Sequence, residues 1–543
     1  MAVRWALVLP LVAACGAADD GEGSTEDPSP DEGASLDGGA CPAAEAPPAC
    51  DPPTPEGAGA PLFRDDSAAL GIDFVHHGDP KTENFIRLLV PGVCLFDFNG
   101  DGRLDLYFAD TAGNPNRLYR NDCGGFTDVT EAMRVGDLGE GVGCLAFDYD
   151  NDADMDLYVT NQGEDRLLRN DGCRFTDVTA EAGISEPLAS TSATAGDVDN
   201  DGDLDLFVGV STRPPALFIN DGAGAFHDEA AARGFVYSDQ TLATLFVDFD
   251  ADGDVDLFVG NDAGPVQPDR LYVNDGLGAF QDLAPAMGLA YDSTGDSADT
   301  MGVDVGDYDR DGCLDVAITN LSNRHAFIYD CDCSPTITCH EASAELGVAG
   351  PTAGYTNWGV GFVDMDQDAD LDLFTASGLL GGAQMVPNTD QRNQLFWNEA
   401  GVFVEHAPEP SDALEVEQNS RGAAFGDIDG DGDLDVVVAN FGQPPAVLRN
   451  NAASGHFLMV RLVGTSSNRQ GVGALVTVII DGRTLTEPAV AGGSYLGSSD
   501  PRVHFGLGDA MFADLVVAWP SGIVQYLSDL QADQFLTVVE TAP

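Results

Sequence analysis

The chain carries a single lysine, Lys81, in 543 residues, and its 23 basic side chains face 91 acidic ones, a formal balance of −68. Nucleic-acid affinity rests on Lys and Arg neutralising phosphates, so this balance excludes a nucleic-acid binder, and an anionic bilayer would repel the chain as well. No apolar run reaches the ~18 residues of a membrane-spanning helix. Familiar catalytic signatures are missing too: there is no G-x-S-x-G elbow and no H-E-x-x-H, and Lys81 does not lie in a phosphate-binding loop. The eight histidines are scattered, and His76 and His77 would point to opposite faces of a strand. A hydrophobic share of 43% with 28 Phe and 12 Tyr is nevertheless enough to build a core, so the acidity does not describe a disordered polyelectrolyte.

The first residues read as an address. Arg4 precedes the ten apolar residues Trp5 to Ala14, too short to span a bilayer, and the run ends in Val12-Ala13-Ala14-Cys15. This resembles a bacterial lipobox, which implies a signal peptide over residues 1–15 and lipidation of Cys15. With Gly16 next, the resemblance implies an outer-membrane or surface lipoprotein; an ordinary secreted protein is the alternative. Residues 16–60 are Gly, Ala, Pro, Ser, Asp and Glu without apolar periodicity, the composition of a disordered acidic tether.

A period of about fifty residues follows. The pattern D-x-[DN]-x-D-x-x-x-D, flanked by apolar stretches, starts at Asp97, Asp148, Asp197, Asp248, Asp307, Asp364 and Asp427, with spacings of 51, 49, 51, 59, 57 and 63. Oxygen ligands at alternate positions of a tight loop suit a hard cation, and calcium takes six to eight of them. Positions 1, 3, 5 and 9 supply the ligand side chains. These are Asp97, Asn99, Asp101 and Asp105 in the first loop, Asp148, Asp150, Asp152 and Asp156 in the second, and Asp197, Asp199, Asp201 and Asp205 in the third. The fourth and fifth contribute Asp248, Asp250, Asp252, Asp256 and Asp307, Asp309, Asp311, Asp315. The last two contribute Asp364, Asp366, Asp368, Asp372 and Asp427, Asp429, Asp431, Asp435. The carbonyl of position 7 would add a further oxygen, giving up to seven Ca²⁺ in all. Glycine at position 6 eases a positive-φ turn, and Ala153 and Ala369 replace it in two loops. Position 12 holds Phe108 or Val159 where an EF-hand needs glutamate, and no flanking helices are expected.

Each acidic loop is followed by a second motif, as in NRLYRNDCGGFTDVT from Asn116, so each repeat holds four short strands. Seven such units predict an all-β fold, a seven-bladed β-propeller over residues 61–453. The last repeat lacks its fourth strand, and LFRDDSAALGI from Leu62 would supply it as a strap. All seven loops then lie on one face, which leaves the longer connections, such as Ala376 to Asn393, to line an opposite face for recognition. From residue 454 the repeat stops and six strand-like runs predict a small β-sandwich to residue 543. An exported chain permits disulfides. Cys94–Cys123 and Cys144–Cys173 are expected as two equivalent bridges, with Cys313, Cys331, Cys333 and Cys339 as a local group. A zinc site from Cys331, Cys333, Cys339 and His340 is the alternative for that group.

The loops resemble FG-GAP/VCBS repeats, as in integrin α-subunit propellers. NRQGVGALV from Asn468, GGSYLGSSDPRVHFGLG from Gly492 and VAWPSG from Val517 resemble the ASPIC/UnbV domain. Together these are similar to the cartilage acidic protein family in a bacterial lipoprotein form. The resemblance implies calcium binding and extracellular interaction or adhesion. With the familiar catalytic signatures missing, the expected function is a monomeric, non-catalytic binding module for a protein or glycan, with no catalytic residues. A calcium-dependent hydrolase or lyase acting on extracellular polymers is the alternative, and a deep axial pocket would mark it.

Overall fold

The computed structural model describes residues 61–541 except 79–85, 112, 186, 212, 263–265, 334–335, 381–388 and 453. Cys15, Cys41, Cys50, the signal segment and the tether lie outside the described residues.

The chain is almost entirely β. Seven four-stranded antiparallel sheets share one topology, the strands following one another across the sheet. In the first blade they are Val93–Phe96, Asp105–Phe108, Arg117–Asn121 and Phe126–Asp128. The pattern that makes them is short: apolar residues flank each acidic loop, and the Asx-Gly turns after the third strand close the outer hairpin. The first strand of each blade packs on those of its neighbours, and the first strand of the seventh blade, Ser420–Gly426, returns to Val93–Phe96, so the ring is closed. Its seal is the strap expected from the sequence: Phe63, Arg64 and Asp65 pair with Asn450, Arg449 and Leu448 as the outer strand of the seventh blade.

Residues 456–539 form a sandwich. One sheet has Val503–Gly508, His456–Val463 and Gln534–Val539; the other has Arg483–Pro488, Leu475–Ile480, Phe512–Ala518 and Val524–Gln531. Leu458, Val460, Val476, Val478, Leu515 and Trp519 fill the space between them. Arg483–Pro488 was not expected from the sequence, because its alternating Arg, Thr and Glu lack an apolar face. Asp481 and Gly482, both at positive φ, form the tight turn that brings it back on Leu475–Ile480.

The sandwich is seated on the ring. Residues 491–500, within the motif that resembles ASPIC/UnbV, run through the middle of the propeller and bond to the innermost strands of six blades. Leu95 N donates to Ser498 O at 2.9 Å, Cys144 N to Leu496 O at 3.2 Å, Ala195 N to Ala491 O at 3.2 Å and Val303 N to Ser494 O at 3.0 Å. Val360 N donates to Ser494 Oγ at 3.1 Å and Phe425 N to Ser499 Oγ at 3.1 Å. Glycine on the inner strands permits this approach: a Cβ on Gly92 would stand 1.9 Å from Leu496 O. Tyr495 and Leu496 then pack among Val142, Leu242, Met301 and Trp358, which makes the axis an apolar core. At its far end the fully buried Arg421 stacks over Trp358 at 4.2 Å and donates to the carbonyls of Leu88, Gly378 and Ser420.

The expected bridges are corrected. Cys94 pairs with Cys144, joining the innermost strands of blades one and two at a Cα separation of 6.1 Å. Cys123 follows the third strand of its blade, so Cys94 and Cys123 are two strand spacings apart, roughly 9–10 Å, beyond disulfide reach. Cys123 and Cys173 are each disulfide-bonded as well, but not to Cys94 or Cys144. The local group pairs as Cys313–Cys333 and Cys331–Cys339, which takes up the thiolates a zinc site would have used.

Candidate metal centres

Each acidic loop is a tight turn between the first two strands of its blade, held by its own carboxylates. In the second loop Asp148 accepts the N–H of Asp152 and of Ala153 at 3.1 and 2.9 Å, which wraps the backbone around the position-1 side chain. The wrapping needs left-handed residues at two places. Position 6 is at positive φ in every loop, including Ala153 at 77° and Ala369 at 75°. Position 4 is as well: Gly100, Asn151, Asn200, Ala251, Arg310, Gln367 and Gly430 all have φ between 57° and 79°. Sequence reasoning missed position 4, because only two of its seven residues are glycine.

The position-9 aspartate has a structural task. Asp156 accepts Tyr149 N at 3.2 Å on one oxygen and Asn170 N at 2.7 Å on the other, tying the loop to the third strand. Asp105, Asp205, Asp256, Asp372 and Asp435 bond in the same way. The asparagine that donates there reaches on to the preceding blade. Asn170 Nδ2 donates to Phe98 O at 2.7 Å and Asn220 Nδ2 to Tyr149 O at 2.7 Å, each carbonyl belonging to position 2 of the neighbouring loop. Asn121, Asn274, Asn398 and Asn450 repeat the contact. Blade five has Cys331 in place of that asparagine, disulfide-bonded to Cys339 across the hairpin. The recurring Asn of L-x-x-N was visible in the sequence as turn chemistry only; its inter-blade reach was not.

Carboxylate oxygens converge in these loops. Asp148, Asp150 and Asp156 each offer an oxygen within 4.8 Å of the others, as do Asp197, Asp199 and Asp205, and Asp248, Asp250 and Asp256. Asp307, Asp309 and Asp311, and Asp364, Asp366 and Asp372, do the same. The position-3 oxygens Asp150 Oδ1, Asp199 Oδ1, Asp250 Oδ1 and Asp366 Oδ1 are buried without a hydrogen-bond partner, as is Asp307 Oδ1. Burial, with neighbouring carboxylates adding to it, pushes Asp148 up to about 6, Asp197, Asp248 and Asp307 to about 7, and Asp156 and Asp315 to about 9. A buried carboxylate oxygen without a donor is costly unless a cation or proton meets it, so the oxygen-only donor set fits a hard metal ion. The outer loops of the series differ. In the first, Asn99 replaces an aspartate and Arg103 pairs with Asp101; in the seventh, Arg449 sits against Asp429.

The sandwich covers this face. Gln470 Oε1 accepts Asp148 N at 2.7 Å, Gln367 O accepts Gly508 N at 2.9 Å, and His504 Nε2 lies 3.1 Å from Gly432 O. Burial lowers the pKa of His504 to about 4, so it is a neutral donor to the seventh loop. Of the remaining sequence candidates, His76 is buried against Phe74 and Phe108, while His77 Nδ1 meets Asp110 at 2.8 Å.

Two family models match the chain. One, for the FG-GAP-like repeat, matches residues 97–159, 148–208, 248–318 and 383–438; the other, for ASPIC and UnbV, matches residues 464–543. The chain is an FG-GAP repeat protein with a C-terminal ASPIC and UnbV domain. It is homologous, at modest identity, to cartilage acidic protein 1. The Mus musculus protein is 27% identical over 275 residues, 49% of this chain and 40% of that protein. For Homo sapiens the figures are 26%, 49% and 39%. The matched region is thus less than half the length of these relatives. Among solved structures, an Agrocybe aegerita lectin is 17% identical with a TM-score of 0.37, over 60% of this chain and 82% of that one. A Bacillus licheniformis rhamnogalacturonan lyase is 13% identical with a TM-score of 0.38, over 72% and 76%.

Proposed function

We propose that this chain is a calcium-stabilised, non-catalytic binding module for an extracellular protein or glycan. The observation that carries the reading is the recurrence, loop after loop, of buried carboxylate oxygens with no donor of their own. Positions 1, 3, 5 and 9 of the seven loops would hold the ions, with the position-7 carbonyl. Calcium there supplies charge neutralisation: seven ions would change −68 to −68 + 14 = −54. The lyase or hydrolase alternative would place chemistry in a deep axial pocket, and residues 491–500 occupy that position, which supports the non-catalytic reading. Among the described residues no helix is long and apolar enough to cross a membrane, and attachment would rest on lipidation of Cys15. Native mass spectrometry of the protein titrated with Ca²⁺ and then EGTA tests the metal reading: six or seven ions bound and lost are expected, and no stoichiometric calcium refutes it. Cys15→Ala should release the protein from the membrane fraction.

A further inference from the structure

The ring and the sandwich do not meet everywhere. Over blades seven, one and two they leave a cleft of 510 Å³, within the ~300–1,000 Å³ of small-ligand sites. One wall is the sandwich strand His456–Val463. Its Leu458, Val460 and Leu462 turn into the sandwich core, so the period-two alternation turns Met459 and Arg461 toward the propeller. The adjacent parallel strand places Phe535 beside Met459 and Thr537 beside Arg461. The strand His456–Val463 is paired on both edges, so this wall presents side chains and no free backbone edge. The opposite wall consists of metal-loop residues, including Asp97, Asp148, Asp427 and Met155.

The cleft brings together several of the chain's few basic side chains, although its lining also carries Asp97, Asp148, Asp154, Asp427, Asp429 and Asp500, most of them in loops whose charge a bound cation would offset. Arg461, Arg469, Arg502 and Arg103 all line it, in a chain with 23 basic residues. Two of them are spent: Arg502 grips Asp500 at 2.6 and 2.9 Å, and Arg103 pairs with Asp101. Arg461 and Arg469 are exposed, and among the described residues neither guanidinium has an ion-pair partner. Most of the other arginines have found one of the many carboxylates; among the described residues Arg134, Arg174 and Arg483 have no ion pair either, but Arg461 and Arg469 share one concavity. Phe535, 48% exposed, lends an aromatic face beside them, with the Arg502 guanidinium 5.4 Å from its ring. Gln470 adds an amide at the rim.

We propose that this interdomain cleft binds a short carboxylated saccharide. The guanidinium forks of Arg461 and Arg469 take the carboxylate, a geometry that arginine favours, and Phe535 takes the apolar face of a sugar ring. The size of the cleft limits the ligand to a few sugar units, and the two unpaired cations select an acidic sugar over a neutral one. The inference rests on the binding-module reading and deepens it, moving recognition from the loops opposite the metal face to the junction between the domains.

The test is isothermal titration calorimetry on the full chain in Ca²⁺, with metal content and melting temperature recorded for each sample. The probes are cellobiouronic acid, neutral cellobiose, glutarate as a carboxylate without a sugar, and an acetylated Asp-Glu dipeptide amide. One site for cellobiouronic acid is expected, with cellobiose and glutarate at least 30-fold weaker. Arg461→Gln and Arg469→Gln should each weaken it 10-fold or more at an unchanged melting temperature, while Arg483→Gln, on an exposed hairpin elsewhere, should leave it intact. Equal binding of cellobiose overturns the carboxylate selection, and tighter binding of the dipeptide overturns the saccharide class. Saccharide binding that survives the Arg461→Gln/Arg469→Gln double variant overturns the cleft while the binding-module reading stands. No binding by folded, calcium-loaded protein also overturns the inference. Loss of calcium stoichiometry, by contrast, would mark failure of the underlying reading.

Discussion

Removing calcium should make stability fall steeply with rising pH. Asp156 and Asp315 lie in different blades and are almost wholly buried, and burial raises each to about 9. In the unfolded chain they titrate near the ordinary ~3.9. A carboxyl whose folded pKa is raised contributes stability that is complete below the unfolded value and is lost as the pH rises through the folded one. Between pH 6 and 8 both groups are protonated in the metal-free fold and ionised in the unfolded chain, so each removes ~1.4 kcal/mol per pH unit. Together the pair removes about 5 kcal/mol over that interval, as much as the whole stability of many domains. The assay is thermal unfolding by circular dichroism in EGTA at pH 6, 7 and 8, repeated in millimolar Ca²⁺. The EGTA series should lose tens of degrees toward pH 8. The Ca²⁺ series should hold level or rise, because the ion replaces the proton. An EGTA series that is flat, or climbs with pH, would refute the argument that these carboxylates are buried around a missing cation.

Three further outcomes follow from the geometry. Asn220→Ala removes Nδ2 bonds to Tyr149 O and Leu204 O, both buried; it should cost roughly 2–4 kcal/mol in denaturant unfolding. Ala153→Gly should stabilise the second loop by about 1 kcal/mol, since φ is 77° there, and a loss in the same unfolding experiment would contradict the strain assigned to position 6. Gly92→Ala would set a Cβ against Leu496 O and should loosen the axial segment, seen as faster amide hydrogen exchange at Cys144 and Ser498, which donate to Leu496 O and Val93 O, while the outer blade strands keep their protection.

Much of this was legible because repetition converts weak local signals into a strong one. A single D-x-D-x-D turn is an acidic loop; seven in register, each between apolar strand segments, define blades and their common face. The strap from Leu62 was legible for the same reason, as a missing fourth strand has to come from somewhere. What escaped is what repetition does not encode. Cys94 and Cys144 join one blade to the next, a relation that no spacing within a blade reveals. The path of residues 491–500 escaped because most of the hydrogen bonds that hold it in the ring go to backbone amides of the inner strands, and backbone leaves no mark on composition. The open cleft escaped as well, for Arg461 looked like an ordinary polar residue on an alternating strand.

The axial segment also has a bearing on how the molecule comes into being. A ring whose innermost strands are capped by residues 491–500 cannot complete its centre until the chain beyond its seven blades has been made. Six sets of inner-strand amides must wait for a piece that follows all seven blades in the chain, and exposed strand edges of that kind aggregate. During synthesis the hub is therefore closed after the blades that surround it, by a segment that the C-terminal domain supplies.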